Sequence, residues 1–367
     1  MLVPFAKRML YLVRRSAVRF ECLILTISLA IEPTLLRAQS EILVQKVVEL
    51  DASMISGAPL WVSRDKKGLF YVIDTPDRRP KVFSPDGKFV RWLGGAGAGP
   101  GEFRMARVVL VGAKDSLFVL DPANGRVSIF NPLGKYVSQF PLRVASLTDA
   151  ILLPSGNIVL NGTFTAAGTI GFTLQEIDRS GARRAAFSEM KRVISLDDAW
   201  RLMRRLAVDP ARGLWSFGAF SQLGELYSFG HVLTETVSPP SWFLQLGEHE
   251  TPLQGGIGGK EPAMEVRAVW LDEAKRVWVA TQVPKPDWRR WSDEKKPQAN
   301  SSMWYETIVS VYDGASRAWI GQRRLPGLRI TRALGEDLVA IVSYSNDGEI
   351  TTLSIHRVSL MSAKARR

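Results

Sequence analysis

The sequence contains little of the chemistry that cysteine and histidine supply. Among its 367 residues there are one cysteine, Cys22, and three histidines, His231, His249 and His356. A single cysteine forms no intrachain disulfide and no multi-thiolate metal site. The histidines show none of the paired spacing that a zinc site requires. We therefore expect neither a metal site nor a catalytic set built on these side chains.

Long hydrophobic runs are also missing. The apolar core near the N-terminus covers residues 22–31 and follows a basic segment. Its length is about half of the ~20 residues that cross a bilayer, and the pattern is typical of an export signal. We predict a signal peptide over residues 1–38 with cleavage near Ala38, which would also remove Cys22. The remaining protein is then expected to be periplasmic or secreted, with no transmembrane span.

The formal net charge of +12 invites a comparison with nucleic-acid-binding proteins. Part of that charge lies in the predicted signal, and the rest is a mild excess without a clear basic stripe. We therefore expect no nucleic-acid partner.

An internal repeat is the strongest signal in the chain. Residues 69–90 align without gaps with residues 116–137 at an offset of 47, and eight of the 22 positions are identical. Gly181 continues the spacing of Gly87 and Gly134. Each unit alternates apolar and polar residues in short runs that end at turns, a period typical of antiparallel strands. A ring of such sheets buries both faces of each sheet, so the repeat predicts a β-propeller.

Three segments resemble the NHL repeat of six-bladed propellers in the TolB-like superfamily. They are residues 94–103 (GGAGAGPGEF), residues 117–121 (LFVLD) and residues 124–130 (NGRVSIF). The resemblance covers residues 58–142 and implies an exported bacterial member of that family. It implies an all-β fold of six four-stranded antiparallel blades over residues 41–360, closed by the N-terminal strand at residues 42–50. Residues 361–367 would form a basic tail, and seven blades remain an alternative.

Two repeated features have structural interpretations. Asp74 and Asp121 end the second strands of successive blades, and their recurrence favours a turn-stabilising role over catalysis. The glycine-rich string at residues 94–101 lacks the Lys-Ser/Thr ending of a phosphate-binding loop. We interpret it as a connection between blades.

Three arginines fall at equivalent positions when the blades are stacked. Arg107, Arg204 and Arg267 each lie near the start of an innermost strand, which in a propeller borders the central channel. Guanidinium groups that converge there repel one another unless negative charge lies between them. The sequence therefore predicts an anion-binding channel mouth. The alternative is that these arginines are solvated or paired with carboxylates.

An insert at residues 283–304 departs from the repeat. It contains Trp288, Arg289, Arg290 and Trp291. Tryptophan interspersed with arginine is typical of a recognition loop for a sugar or a protein. The alternative is a connector whose tryptophans cap the fifth blade.

The preferred functional hypothesis is an extracytoplasmic binding module for an extracellular protein, a glycan or a small anionic ligand. The alternative is a lactonase-like or lyase-like propeller enzyme with a metal in the channel. The scarcity of histidine argues against the enzyme, and we expect no cofactor. A channel calcium ion held by carboxylate and amide oxygens stays open at this stage.

Overall fold

The computed structural model describes residues 41–75, 77–164, 170–190, 200–245, 262–288, 304–344 and 350–361. Within these ranges the chain forms β-strands with a few short 3₁₀ segments. The strands make six four-stranded antiparallel sheets and one small parallel pair. The predicted all-β architecture of six blades is confirmed.

The first three blades follow the chain in order. Blade one contains β2 (Pro59–Arg64), β3 (Phe70–Asp74), β4 (Lys81–Phe83) and β5 (Phe89–Trp92). Blade two contains β8 (Val108–Val111), β9 (Leu117–Asp121), β10 (Arg126–Phe130) and β11 (Tyr136–Pro141). Blade three contains β12 (Ser146–Leu152), β13 (Ile158–Thr163), β14 (Phe172–Ile177) and β15 (Arg183–Glu189).

The last three blades complete the ring. Blade four contains β16 (Arg204–Asp209), β17 (Gly213–Gly218), β18 (Gly224–Tyr227) and β19 (Leu233–Val237). Blade five contains β20 (Glu265–Leu271), β21 (Val277–Pro284), β22 (Tyr305–Tyr312) and β23 (Trp319–Leu325). Blade six contains β24 (Arg329–Gly335), β25 (Leu338–Tyr344), β26 (Ile350–Met361) and, from the other end of the sequence, β1 (Glu41–Glu49).

The first strand of every blade is innermost. Each of these six strands contacts the first strands of the two neighbouring blades, and β24 contacts β2 to close the circle. In blade six, β1 pairs antiparallel with β26 from Glu41 opposite Met361 to Glu49 opposite Ser354. The two ends of the described chain are therefore held in one sheet, as closure by the N-terminal strand requires.

The glycines at the offset of 47 occupy equivalent turns. Gly87, Gly134 and Gly181 have φ values of 86°, 78° and 81° and lie between the third and fourth strands of their blades. A positive φ is a conformation that glycine adopts without strain. In blades four and five the corresponding turns use His231 and Arg317 at φ values of 65° and 63°. The repeat therefore continues in the backbone after the glycine signal has disappeared from the sequence.

Both repeated aspartates stabilise loops. Asp74 accepts hydrogen bonds from the Ser56 backbone N–H at 3.1 Å and from Lys81 Nζ at 2.7 Å. Asp121 accepts from three backbone N–H groups, those of Arg104, Met105 and Asn124. Both carboxylates are fully buried, which fits the predicted structural role.

The glycine-rich string connects blade one to blade two. Its strand β6 (Gly95–Ala96) pairs in parallel with β7 (Glu102–Phe103), which follows the string directly. Arg126 donates to the carbonyl oxygens of Ala98 and Gly99 at 2.9 and 2.6 Å. The backbone carbonyl groups of the string therefore accept hydrogen bonds from an arginine of the same chain, in agreement with the structural interpretation.

Candidate functional site

A cavity of about 320 Å³ lies between the six innermost strands. Because these strands all run in the same direction around a propeller, residues near their starts share one opening of the channel. Five arginines lie in or beside the first halves of these strands, and we call this region the arginine mouth: Arg107, Arg205, Arg267, Arg329 and Arg332. Three of them, Arg205, Arg267 and Arg332, line the cavity. The far end of the cavity is lined mainly by aliphatic side chains, namely Val111, Ile151, Val208, Leu271 and Leu334, together with Ser63 and Arg64.

Glu265 joins two of the mouth arginines. Its Oε1 lies 2.8 Å from Arg205 Nη2 and 2.9 Å from Arg267 Nη1, and its Oε2 lies 3.0 Å from the same Arg267 nitrogen. Burial opposes ionisation of Glu265, but Arg267 and Arg205 outweigh it and hold the pKa of this carboxyl below its ordinary value. Glu265 is therefore an ionised carboxylate that forms ion pairs with two guanidinium groups at once.

A second ion pair crosses the channel. Asp149 in blade three accepts from Arg332 Nη2 of blade six at 2.7 Å, and these two blades lie on opposite sides of the ring. The Arg332 guanidinium carbon lies 3.3 Å from the centroid of the Trp61 ring. Burial lowers the pKa of Arg332, while Asp149 acts in the opposite direction. The pair thus bridges the channel from blade to blade, and we call it the crossbar.

Arg329 contacts an amide and two phenol rings. Its Nη2 donates to Gln282 Oε1 at 2.7 Å, and its guanidinium carbon lies 4.8 Å from the Tyr344 ring centroid and 5.8 Å from that of Tyr305. Burial lowers the pKa of Arg329. It also raises the pKa of Tyr305 to about 12, so this phenol stays protonated at neutral pH.

Arg107 differs from the other four. Its side chain is half-buried, and in the described part of the chain no hydrogen-bond acceptor or carboxylate contacts its guanidinium. Burial, followed by repulsion from Arg78 and Arg205, lowers the pKa of Arg107. A cation with this environment is stabilised by any anion that enters the mouth.

Among the residues that the structure describes, positive charges outnumber negative charges at the mouth. Two carboxylates there, Asp149 and Glu265, form ion pairs with three of its five arginines. The partially desolvated channel strengthens electrostatic interactions relative to water. The arrangement therefore favours binding of an anion and disfavours binding of a metal cation.

A backbone irregularity decides which arginines reach the channel. Arg267 lies where the register of β20 shifts between Val266 and Ala268, which indicates a β-bulge. In blade four, β16 pairs with β17 without a shift from Arg204 to Asp209. Because side chains alternate along a regular strand, Arg205 lines the channel cavity, whereas Arg204 bonds Glu225 at 2.5 Å.

The structure therefore brings two of the three sequence-predicted arginines, Arg107 and Arg267, to the mouth. It places Arg204 one residue away from the side chain that lines the channel. Sequence reasoning missed Arg205, Arg329 and Arg332. Of these, only Arg205 had a signal in the sequence, because it adjoins a residue that the blade alignment had already selected.

The tryptophan insert is described only in part. Trp288 is 5% exposed and belongs to a buried cluster with Trp304, beside Tyr305. This burial fits the alternative of a tryptophan that caps blade five. Arg289, Arg290 and Trp291 lie outside the described residues, so their predicted role in recognition stays a prediction.

The two described histidines, His231 and His356, lie in different blades. His231 pairs with Glu176 at 2.6 Å in one part of the ring, and His356 lies 2.9 Å from Ser354 Oγ in β26. His249 lies outside the described residues. No three His, Cys, Asp or Glu side chains form a possible metal site in the ranges that the structure describes.

Three connections at the arginine mouth span many residues of the sequence. On that side the chain runs from Glu189 to Arg204, from Val237 to Glu265 and from Pro284 to Tyr305 before the next strand begins. At the far end the connections are short turns, such as the one from Asp209 to Gly213. Loops on a rigid scaffold commonly carry binding residues. The mouth is therefore the face on which contacts with a ligand are expected.

No protein-family model and no curated protein sequence matches the chain. Solved structures do resemble it. A DUF4221 family member from Bacteroides vulgatus has a TM-score of 0.60 at 12% identity, covering 89% of this chain and 100% of that one. A Bacteroides fragilis protein described as exported has a TM-score of 0.56 at 12% identity, covering 88% of this chain and 96% of that one.

A more distant resemblance links the chain to the virginiamycin B lyase of Staphylococcus aureus, with a TM-score of 0.47 at 10% identity over 85% of this chain and 88% of that one. No helical segment in the described ranges has the length and apolar character of a membrane span. At these identities the comparisons establish the six-bladed propeller fold, with neighbours in propeller families.

Proposed function

We propose that this protein is an extracytoplasmic binding module whose arginine mouth holds an anionic ligand. The observation that carries the proposal is Arg107, a half-buried guanidinium with no partner among the described residues and with two further cations as neighbours. Keeping such a group uncompensated costs free energy in the unliganded protein. A bound anion would offset that cost.

The chemistry of the mouth suits a carboxylate or a phosphate. A guanidinium presents paired N–H donors that match two oxygens of such groups, and charge-assisted hydrogen bonds are the strong class. Arg205 and Arg267 are already oriented by Glu265, so little side-chain entropy is lost on binding. The cavity of about 320 Å³ accommodates a small anion or the acidic end of a larger ligand or of an extracellular protein.

Two observations support a location outside the cytoplasm for the protein and its ligand. Residues 1–38 have the pattern of a signal peptide, and one of the structural neighbours is described as exported. We place the mature protein in the periplasm or outside the cell. A metal-dependent enzyme has weaker support, because the channel carboxylates Asp149 and Glu265 are each bonded to arginine.

Arg107→Gln tests the anion site directly. We expect inorganic phosphate, citrate or glucuronate to bind the wild-type protein in isothermal titration calorimetry, and the variant to bind at least about tenfold more weakly. We also expect the unliganded variant to melt at the same temperature as the wild type or above it. The reason is that the substitution removes repulsion from Arg78 and Arg205 without breaking a bond.

Arg184→Gln is the matched control, because it changes the net charge equally. Arg184 is 61% exposed and pairs with Asp178 at the turn between β14 and β15, at the far end of the ring. The affinity of the Arg184→Gln variant for the same anions should equal that of the wild type. The proposal fails if none of the three anions binds, or if the two variants lose affinity to the same extent.

A further inference from the structure

A second cavity of about 570 Å³ lies on the outer side of the ring, between blades four and five. It is larger than the channel cavity, and its volume falls within the range of small-molecule sites. We call it the lateral groove. Its lining residues are Thr236, Val237, Ser238, Pro240, Ser241, Trp242, Tyr312, Arg317, Trp319 and Gln322.

Two indole rings dominate the groove. Trp319 begins the edge strand β23 and is 43% exposed, which makes it an exposed large apolar side chain on an outer strand. Trp242 belongs to the connection after β19, and its indole N–H donates to Gln322 Oε1 of blade five at 2.8 Å. This bond holds the Trp242 ring, which is half-buried and lines the groove beside the Phe243 ring.

Most of the other lining side chains are polar, and several of them make no hydrogen bond to the described part of the protein. The exposed hydroxyls of Thr236, Ser238 and Ser241 have no partner within the described part of the protein. Arg317 is 45% exposed, and its nearest carboxylate oxygen, on Glu235, is 3.7 Å away. The groove therefore offers several donors and acceptors, and its one cation is offset by a nearby carboxylate.

The side chains that line the lateral groove indicate which class of ligand fits it. A lipid or an apolar peptide requires an aliphatic floor, but the lining has only two aliphatic side chains, Pro240 and the buried Val237. A sugar ring presents C–H groups on its faces and hydroxyls around its edge. The C–H face stacks on the electron-rich face of an indole, and the hydroxyls bond to side chains such as those of serine and glutamine.

A neighbouring cavity of about 280 Å³ shares Trp242 with the lateral groove. Its lining adds Met264, Pro284, Trp288 and Arg324, among other residues. One indole therefore borders two cavities, an arrangement that suits a chain of sugars better than a single ring. We infer that the lateral groove binds a neutral glycan several residues long, at a site distinct from the arginine mouth.

The test uses three neutral hexasaccharides, made of β-1,4-glucose, β-1,4-N-acetylglucosamine and α-1,4-glucose. We expect at least one to bind the purified protein in isothermal titration calorimetry and to quench its tryptophan fluorescence. Trp319→Ala should weaken that binding by about tenfold or more, the effect expected for loss of one aromatic stacking contact. Since Trp319 is exposed, the variant should fold, and circular dichroism will verify this.

Phe229→Ala is the matched control, because Phe229 is 41% exposed and lies in blade four outside the groove. It should bind the saccharide as the wild type does, and so should Arg107→Gln. The inference is overturned if no hexasaccharide binds or if Trp319→Ala binds normally. It is equally overturned if the groove takes a proline-rich peptide instead, or if Arg107→Gln abolishes saccharide binding, which would place the sugar at the mouth.

Discussion

Ile42→Asp will lower the free energy of unfolding by about 4 kcal/mol and the melting temperature by about 10 °C. Ile42 is 2% exposed and lies in the cluster that joins blades five and six, where it packs with Val309, Ile341 and Val358. A carboxylate at this position would be buried without a partner. It would detach β1 from β26 and leave an open sheet edge, which also promotes aggregation.

Val47→Asp provides the comparison on the same strand. Val47 is 52% exposed and lies at the register shift between β1 and β26. Its replacement should change the free energy of unfolding by no more than about 0.5 kcal/mol. Thermal and urea unfolding followed by circular dichroism will measure both variants. If they are equally stable, β1 does not close the ring.

Lys81→Met has the second largest expected effect, a loss of about 3–5 kcal/mol of unfolding free energy. Lys81 is 1% exposed, and its ammonium lies 2.7 Å from Asp74 Oδ2, 3.0 Å from Asp77 Oδ2 and 2.6 Å from the Met54 carbonyl oxygen. Without Lys81, the buried Asp74 carboxylate keeps only the Ser56 N–H. The penalty comes mainly from that uncompensated charge.

Adding Asp74→Asn to Lys81→Met should restore part of the lost stability, because the neutral amide removes the buried charge. Lys88→Met is the control, since Lys88 is 82% exposed and its bond to Asp86 contributes little. Urea unfolding of the single and double variants forms a double-mutant cycle. Additive losses in that cycle would show that Lys81 and Asp74 are not energetically coupled.

The blades with the strongest sequence repeat were predictable because their turns and carboxylates recur. Gly87, Gly134 and Gly181 occupy one type of turn, and Asp74 and Asp121 each stabilise a loop. Even there the details differ. Ser128 stands where blade one has Lys81, and Asp121 accepts from three backbone N–H groups and from Asn124 Nδ2 in place of an ammonium. A repeated position can therefore keep its role while its partners change.

The channel-lining arginines and the lateral groove could not be predicted in full, because they depend on strand register and on the packing of blades. The bulge in β20 and its absence in β16 decide that Arg267 and Arg205 line the channel while Arg204 does not. The lateral groove unites residues from two blades, and neither Trp242 nor Trp319 belongs to a recognisable motif. Such sites become visible only when the blades are assembled.

The crossbar between Asp149 and Arg332 has a kinetic consequence. The two residues are 183 positions apart and belong to opposite blades, so they meet only after most of the ring has assembled. An interaction absent from the folding transition state leaves the folding rate almost unchanged and slows unfolding instead. We therefore expect the ion pair to slow unfolding and so to lengthen the lifetime of the closed ring.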